Sequence, residues 1–413
     1  MSRSQTPFTV VIPTKDRCDV LRFSLLTALK QEYSNYRVIV SDNNSSDDTR
    51  SVVESFKDSR VQYVNPGRRL SMSSHWEFAL SHVKEGMVSV IGDDDGLLPD
   101  ALSRVDQICR STNAKAVCSV TGVYYWPGFF SSNSPSQLIS FVSGGYKIKN
   151  SKKMLQALLD GWIGYAEMPM LYTGGFVDIS IVNQIKKIQG CLIPSMQPDM
   201  YSAIAIASCL DFYVQSRRPF AISGLSRHSN GSAFLREKDG KDLCQLRKKF
   251  AIENDRKFHP LMLLGDLSEV PKSIQIYICE SYLHASQFYG NPGIKFSFES
   301  QVRIIANSNI RHDALTVKWL HAVANAYGFS FANLFGLTGF LSKTAKMLAK
   351  SGRLFFSSFD KIALAGSLAK PVANIYDASI VASNWLRKRP SRLTCFCLSV
   401  RRLVNFRSAY KGI

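Results

Sequence analysis

No CxxC pair occurs among the nine cysteines of this 413-residue chain; their number is odd and their spacing irregular. That speaks against a zinc site or a dense disulfide framework and for reduced thiols in a cytosolic protein. The opening residues, MSRSQTPFTVVIPTKDR, hold too short an apolar run for a signal peptide before Lys15 interrupts it. Internal repeats and low-complexity tracts are absent. Hydrophobic residues make up 45% and charged residues 20%, which excludes a largely disordered chain, a collagen-like chain and a multi-span membrane protein. The charge is unevenly placed. Residues 327–413 hold 14 Lys or Arg against 2 Asp or Glu, whereas residues 1–240 hold 26 against 22. Most of the net +19 therefore lies in the last fifth of the chain, and the nearly balanced first two-thirds is the place to look for chemistry.

The length suggests two or three domains. Short β-branched runs, Phe8–Pro13, Tyr36–Ser41, Val61–Val64, Met87–Ile91 and Ala116–Val120, read as buried strands. Stretches of helical spacing lie between them at 19–32, 49–56, 74–83 and 99–109. This α/β alternation with short connections predicts a mostly parallel sheet with helices on both faces. Further on, Met170–Asp178 reads as a strand with a glycine kink, 179–189 and 198–210 as helices, and Arg218–Gly224 as a last strand. Residues 121–160 are mixed and rich in Gly, Ser and aromatics. The α/β unit is expected to end near residue 240, followed by a helical extension over 241–326. From Trp319 to Ser342 no Asp, Glu, Lys or Arg occurs. That run is long enough to span a bilayer, but its His321, glycines, Asn and Thr fit a buried or interfacial helix pair better.

Ligands on open α/β sheets bind beyond the carboxyl ends of the strands. Three polar clusters stand at such ends: Thr14-Lys15-Asp16-Arg17, Asp42-Asn43-Asn44 and Asp93-Asp94-Asp95. Three adjacent carboxylates repel one another and raise each other's pKa. A divalent cation relieves the repulsion, and Mn²⁺ or Mg²⁺ is commonly held by one or two carboxylates plus substrate phosphates. An acidic helix cap would need fewer, because Asp100 already serves the next helix.

The runs VVIPTKDR (10–17), VIVSDNNSSDDT (38–49) and GMVSVIGDDDGLLPDAL (86–102) together resemble family-2 glycosyltransferases with the nucleotide-sugar-binding GT-A fold, in the family's order and spacing, over about residues 7–235. The resemblance implies a GT-A-like mostly parallel sheet flanked by helices and followed by a mainly helical C-terminal region. It places Thr14 and Arg17 in the nucleotide pocket and Asp42 on the base or ribose. It puts Asp93 and Asp94 at the ribose and the metal, with Asp94 as the direct ligand. Asp95 is a further metal candidate or a support of the turn. Gly92 stands where many members carry the first Asp of DxD, which leaves the division of roles among the three carboxylates open. Asp199, in Gln197-Pro198-Asp199, matches the catalytic base of inverting members, although an acid at a helix start has a capping use of its own. Arg227 and His228 match the stretch that borders the diphosphate, where a His can approach the metal; a surface-loop histidine is the plain alternative. Arg69, after Asn65-Pro66-Gly67, is a phosphate or base contact or part of a solvated loop. Tyr124, Tyr125, Trp126, Phe129 and Trp162 are either sugar-stacking platforms or core.

The implied activity is metal-dependent, inverting transfer of a sugar from a nucleotide-sugar, a UDP-sugar by expectation, to a saccharide or lipid-linked acceptor. The implied setting is bacterial surface-polysaccharide or O-antigen assembly. Residues 327–413 form a basic tail in which Lys343, Lys346, Lys350, Arg387-Lys388-Arg389 and Arg401-Arg402 alternate with Trp385, Phe396 and Phe406. Such an amphipathic segment suits an anionic membrane surface, so the protein is expected in the cytoplasm, peripheral on the inner face of the cell membrane. Nucleic acid is not expected as a partner, since no nucleic-acid fold signature accompanies the charge. A GT-A-like domain that binds nucleotide or glycan without turnover is the alternative to an enzyme.

Overall fold

A computed structural model describes residues 5–129, 134–141, 144–227, 248–265, 271–288, 293–308, 314–330, 334, 361–362 and 372–388. The first half alternates as expected: β1 (Phe8–Thr14), α1 (Cys18–Leu29), β2 (Tyr36–Asp42), α2 (Thr49–Glu54), β3 (Val61–Val64), α3 (Met72–Leu80), β4 (Met87–Val90), β5 (Gly96–Leu97), α4 (Ala101–Thr112) and β6 (Ala116–Ser119). The apolar runs form strands because both faces of the sheet are covered. Val10, Val11, Ile12, Val38, Ile39, Val40, Val88 and Val90 are fully buried, as parallel strands between helical layers require.

The segment that follows is more intricate than its composition suggests. It forms β7 (Gly122–Tyr125), β8 (Gln137–Phe141), β9 (Tyr146–Asn150) and α5 (Ser151–Leu159). Only Gly175–Asp178 of the expected 170–178 strand is extended (β10); residues 170–174 make a turn. Helices α6 (Ile179–Gln189) and α7 (Pro198–Ser208) follow, then two strands rather than one, β11 (Phe212–Ser216) and β12 (Ala221–Leu225).

The main sheet has the order β3-β2-β1-β4-β10-β6-β11-β9. Strands β1, β2, β3 and β4 pair in parallel, as do β6 and β11, while β10 runs antiparallel between β4 and β6 and β9 antiparallel along β11. A second sheet, β13-β8-β7-β12-β5 with β13 at Lys361–Ile362, carries the strand end nearest the acidic turn.

One face of the main sheet packs on α1 and α4 through Leu21, Leu25, Leu102 and Val105. The other packs on α3, α5, α6 and α7, and the same core continues into α8 (Ile274–Ala285), α9 (Phe298–Asn307) and α10 (Ala314–Tyr327). The expected helical extension thus shares the core of the α/β unit. Among the described residues no helix is long and apolar enough to cross a membrane.

Part of the basic tail is also fastened to the α/β unit. On α11 (Ile375–Lys388), Ile375, Ala378, Ala382 and Leu386 recur every three or four residues and pack on Val20, Leu98, Tyr124, Trp126 and Ile222. The Tyr124 and Ser136 hydroxyls both donate to the Val372 carbonyl, at 2.7 and 2.6 Å, and Arg387 pairs with Glu32. Trp385 is partly buried against this cluster. The apolar stripe of α11 is therefore covered by protein. Lys343, Lys346, Lys350, Arg389, Phe396, Arg401, Arg402 and Phe406 lie outside the described residues.

Candidate active site

Parallel register brings the polar strand ends together. Thr14 pairs with Asp42 at the ends of β1 and β2, the Asn43 amide donates to the Thr14 carbonyl at 2.9 Å, and the Ile91 amide donates to Val11 at 3.0 Å. The chain beyond Ile91 therefore turns directly beside Thr14.

The three carboxylates of that turn are all buried but face different partners. Asp93 accepts the Thr14 hydroxyl at 2.8 Å and Arg17 Nη1 at 3.0 Å. Burial raises the Asp93 pKa and Arg17 opposes the rise. Burial likewise works against the Arg17 charge, yet the Asp93 and Asp94 carboxylates raise its pKa overall. Asp94 accepts the Ser226 hydroxyl at 2.7 Å, and its backbone carbonyl accepts Trp126 Nε1 at 3.1 Å. Asp95 points into the protein. Its Oδ1 takes the Gly224 amide at 2.7 Å; its Oδ2 takes the Gly92 amide at 2.8 Å and the Thr173 hydroxyl. Burial first, and Asp94 second, push its pKa up to about 7. Of the two roles open to Asp95, the geometry serves the support of the turn: both its oxygens are engaged by the fold.

Two glycines permit this arrangement. A Cβ on Gly224 would stand 1.7 Å from the Asp94 carbonyl oxygen, so β12 can lie against the acidic turn only without a side chain there. A Cβ on Gly92 would meet Asp95 Oδ2 and the Tyr172 hydroxyl, both at 2.9 Å. The space a side chain at position 92 would need is taken by Asp95 and Tyr172.

Asp42 is held at the end of β2. Its Oδ1 accepts the Ser45 amide at 2.9 Å; its Oδ2 accepts the Tyr63 hydroxyl at 2.6 Å and Asn65 Nδ2 at 3.3 Å. Asn43 exchanges two hydrogen bonds with the Leu70 backbone, at 2.8 and 2.9 Å. Arg69 makes a two-pronged ion pair with Asp16, at 2.6 and 2.9 Å, and that hydrogen-bonded guanidinium holds the Asp16 carboxyl well below the usual carboxylate range. Arg69 thus ties the loop after β3 to the loop after β1.

Asp199 sits in the first turn of α7. Burial raises its pKa, and the Tyr165 hydroxyl bound to it works against the rise. The Tyr172 hydroxyl, pushed well above its usual pKa by burial, feels the Asp95, Asp94 and Asp199 carboxylates in turn. Asp199 thus lies near enough to Tyr172 to act on the same hydroxyl as the acidic turn. The Ser202 hydroxyl donates to the Asp199 carbonyl at 2.9 Å and accepts the Leu171 amide at 3.1 Å, joining α7 to the turn that presents Tyr172 and Thr173. Sequence spacing alone missed Tyr165, Tyr172, Thr173, Gly224 and Ser226; the glycine kink at 174–175 was the one signal near them.

Arg227 follows Ser226 directly and is exposed; His228 lies outside the described residues. Tyr124, Trp126 and Phe129 are buried and serve as core, Tyr125 packs on Phe129 with ring centroids 5.2 Å apart, and Trp162 remains 48% exposed. Among the described residues no three His, Cys, Asp or Glu side chains gather into a metal-ligating group. The donor set fits a hard divalent cation that takes one carboxylate, Asp94, and completes its shell with water and substrate phosphates. It does not fit a cation caged by protein alone.

Residues 9–165 match the family model described as glycosyl transferase family 2. A GalNAc(5)-diNAcBac-PP-undecaprenol beta-1,3-glucosyltransferase of Campylobacter jejuni is 34% identical over 101 residues, 24% of this chain and 33% of that protein. The UDP-Glc:alpha-D-GlcNAc-diphosphoundecaprenol beta-1,3-glucosyltransferase WfgD of Escherichia coli is 27% identical over 86 residues, 21% of this chain and 34% of that protein. The chain thus spans about a third of the length of these curated relatives. Among solved structures, S. aureus TarS 1–349 with UDP-GlcNAc aligns at a TM-score of 0.42 and 14% identity, covering 77% of this chain and 83% of that one. The mannosyltransferase PcManGT of Pyrobaculum calidifontis with GDP-Man and Mn²⁺ aligns at 0.41 and 13%, covering 94% and 89%. At TM-scores this low, neither likeness carries weight for function.

Proposed function

We propose that the protein is a metal-dependent, inverting glycosyltransferase that moves a sugar from a nucleotide-sugar, of which a UDP-sugar is the first to test, to a lipid-linked saccharide acceptor. The observation that carries the reading is the division of labour at the end of β4. Arg17 pairs with Asp93, both Asp95 oxygens are taken up by the fold, and Asp94, which accepts the Ser226 hydroxyl, is the carboxylate we assign to the cation, with a further carboxylate, Asp199, acting on the same Tyr172 hydroxyl. The family match over residues 9–165 supports it, and the undecaprenol-linked acceptors named for the two curated relatives support the acceptor class.

In this reading Asp42, Tyr63 and Asn65 line the place of the base and ribose, and Thr14, Arg17 and Asp93 the place of the sugar–phosphate junction. Arg227 borders the diphosphate, as would His228, and Arg69 closes the rim. Asp94 would hold a divalent cation, Mn²⁺ or Mg²⁺, which would supply Lewis-acid stabilisation of the leaving diphosphate. Asp199 takes the proton of the acceptor hydroxyl as general base. Its burial makes it a stronger base than a solvated carboxylate, and a pKa nearer the working pH makes proton transfer more efficient. With Asp199 assigned as the base and, among the described residues, no further carboxylate assigned as a nucleophile, attack comes from the face opposite the diphosphate and the anomeric centre inverts. Enzyme supplied with a UDP-α-sugar and acceptor should give a β-linked product by NMR; an α-linked product would overturn the assignment. A setting at the inner face of the membrane, in surface-polysaccharide synthesis, follows from a lipid-linked acceptor and the basic tail together.

A further inference from the structure

Glu280 is completely buried in the middle of α8. Its helix is apolar nearly all round, with Ile276, Tyr277, Ile278, Cys279 and Leu283 also buried. A carboxylate in such a core is costly, and an apolar residue of similar volume would ordinarily serve stability as well or better. What it touches gives the reason. Its Oε2 accepts the Ser195 hydroxyl at 2.7 Å, and its Oε1 lies 2.9 Å from Nε2 of His284, one turn further along α8. The His284 ring in turn stands edge-on to His259, centroids 5.1 Å apart.

Ser195 is also fully buried and is a junction of three elements. Its carbonyl accepts the Ser73 hydroxyl of α3 at 2.7 Å. Its own hydroxyl accepts the Gln197 amide at 3.2 Å while donating to Glu280. Gln197 is the residue that caps α7, and its side chain makes no capping bond. The entry to α7 is therefore held from below by Ser195, and Asp199 stands two residues past Gln197. On the other side Ser202 fixes the Asp199 carbonyl and the Leu171 amide.

We propose that Glu280 is a positioning residue for Asp199. Through its bond to the Ser195 hydroxyl it locks Ser195, and Ser195 sets the entry of α7 and hence the place of the Asp199 carboxylate. The inference rests on Asp199 being the general base. It assigns to the helical extension, otherwise a packing element, a part in the transfer step.

The test uses the full-length protein and a UDP-sugar, with water or acceptor extract as the sugar acceptor, and compares Glu280→Met, Glu280→Gln, Ser195→Ala and Asp199→Asn. Glu280→Met should fold with an unfolding midpoint at or above that of wild type. Its kcat should fall about tenfold or more, since small displacements of a reacting group are that costly, while KM for the donor stays within twofold. Ser195→Ala should match it. Glu280→Gln keeps an acceptor for the Ser195 hydroxyl and should recover most of the rate. Amide hydrogen exchange at Gln197 should quicken in Glu280→Met and Ser195→Ala but not in Glu280→Gln, and that readout needs no activity. Wild-type kcat or unchanged Gln197 exchange in Glu280→Met would overturn the proposal, as would a loss that appears only as destabilisation. If Asp199→Asn retains full kcat, the base assignment itself has failed, and the exchange pattern still reports whether Glu280 fixes the entry of α7.

Discussion

Replacing Gly224 by alanine should damage both the fold and the site, by an amount the geometry allows to be worked out. The added Cβ would stand 1.7 Å from the Asp94 carbonyl oxygen, 2.6 Å from its carbon and 2.9 Å from Trp126 Nε1. Reaching even a tight 3.0 Å contact with that oxygen requires β12 and the acidic turn to part by 1.3 Å. Overpacking of this kind costs about 1–3 kcal/mol. The parting also stretches the 2.7 Å bond from the Gly224 amide to Asp95 and the 2.7 Å bond from Ser226 to Asp94. Hydrogen bonds to charged groups contribute about 1.5–3 kcal/mol each. Partial loss of two brings the expected total to about 3–5 kcal/mol. Denaturant unfolding of wild type and Gly224→Ala measures it. Gly164→Ala is the control, since a Cβ there meets nothing within 4 Å and its φ of −91° suits any residue. At low denaturant, Gly224→Ala should also bind UDP with Mn²⁺ at least tenfold more weakly, because Asp94 has moved. A variant within about 0.5 kcal/mol of wild type, with unchanged nucleotide binding, would refute the close approach of β12 to the turn and the site built upon it.

Other outcomes follow from the same geometry. Asp199→Asn should lower transfer by about 10²–10⁴-fold with donor affinity unchanged, read by steady-state kinetics and nucleotide titration; a parallel loss of donor binding would place Asp199 elsewhere. Arg17→Ala leaves Asp93 buried without its cation and should cost about 3 kcal/mol, part of which a second change, Asp93→Asn, restores; strictly additive losses would contradict the pairing. His75 is buried against the Ser41 hydroxyl at 2.9 Å, and burial lowers its pKa from 6.5 to about 4. The unfolded chain therefore binds the extra proton between those values, and stability rises with pH across that window. Wild type should lose about 3 kcal/mol more than His75→Gln between pH 7 and pH 4; parallel stability curves would rule this out.

How much of this was legible in the sequence depends on the range of the contacts. Strands β1, β2, β4 and β6 could be read because each is an apolar run buried on both faces and set off by polar loops, and β3, half-buried at the sheet edge, by its β-branched residues. Strand β9 was missed because Tyr146, Lys147, Ile148 and Asn150 are all exposed at the sheet edge, so no buried face leaves an imprint. The 170–174 turn was read as strand because its apolar residues pack on the core without being extended. The acidic turn announced itself by charge, and the resemblance named its neighbours. The roles of its three carboxylates were not legible, because they are assigned by Thr173, Gly224 and Ser226, which lie 78, 129 and 132 residues from their partners. The membrane reading of the tail counted an apolar stripe without knowing what covers it; for α11 the cover is α1 and the second sheet. Glu280 gave no signal at all, since an acid amid helical spacing looks like a solvated face until the helix is seen to be enclosed.

The most direct test is release of nucleoside diphosphate from a panel of nucleotide-sugars, with Mn²⁺, Mg²⁺ or EDTA, for wild type and Asp94→Ala. The account predicts turnover of one donor, abolished by EDTA and by Asp94→Ala while Asp94→Ala stays folded. Turnover that survives both would contradict the role given to Asp94, and silence with every donor in the presence of acceptor extract would contradict the enzyme itself.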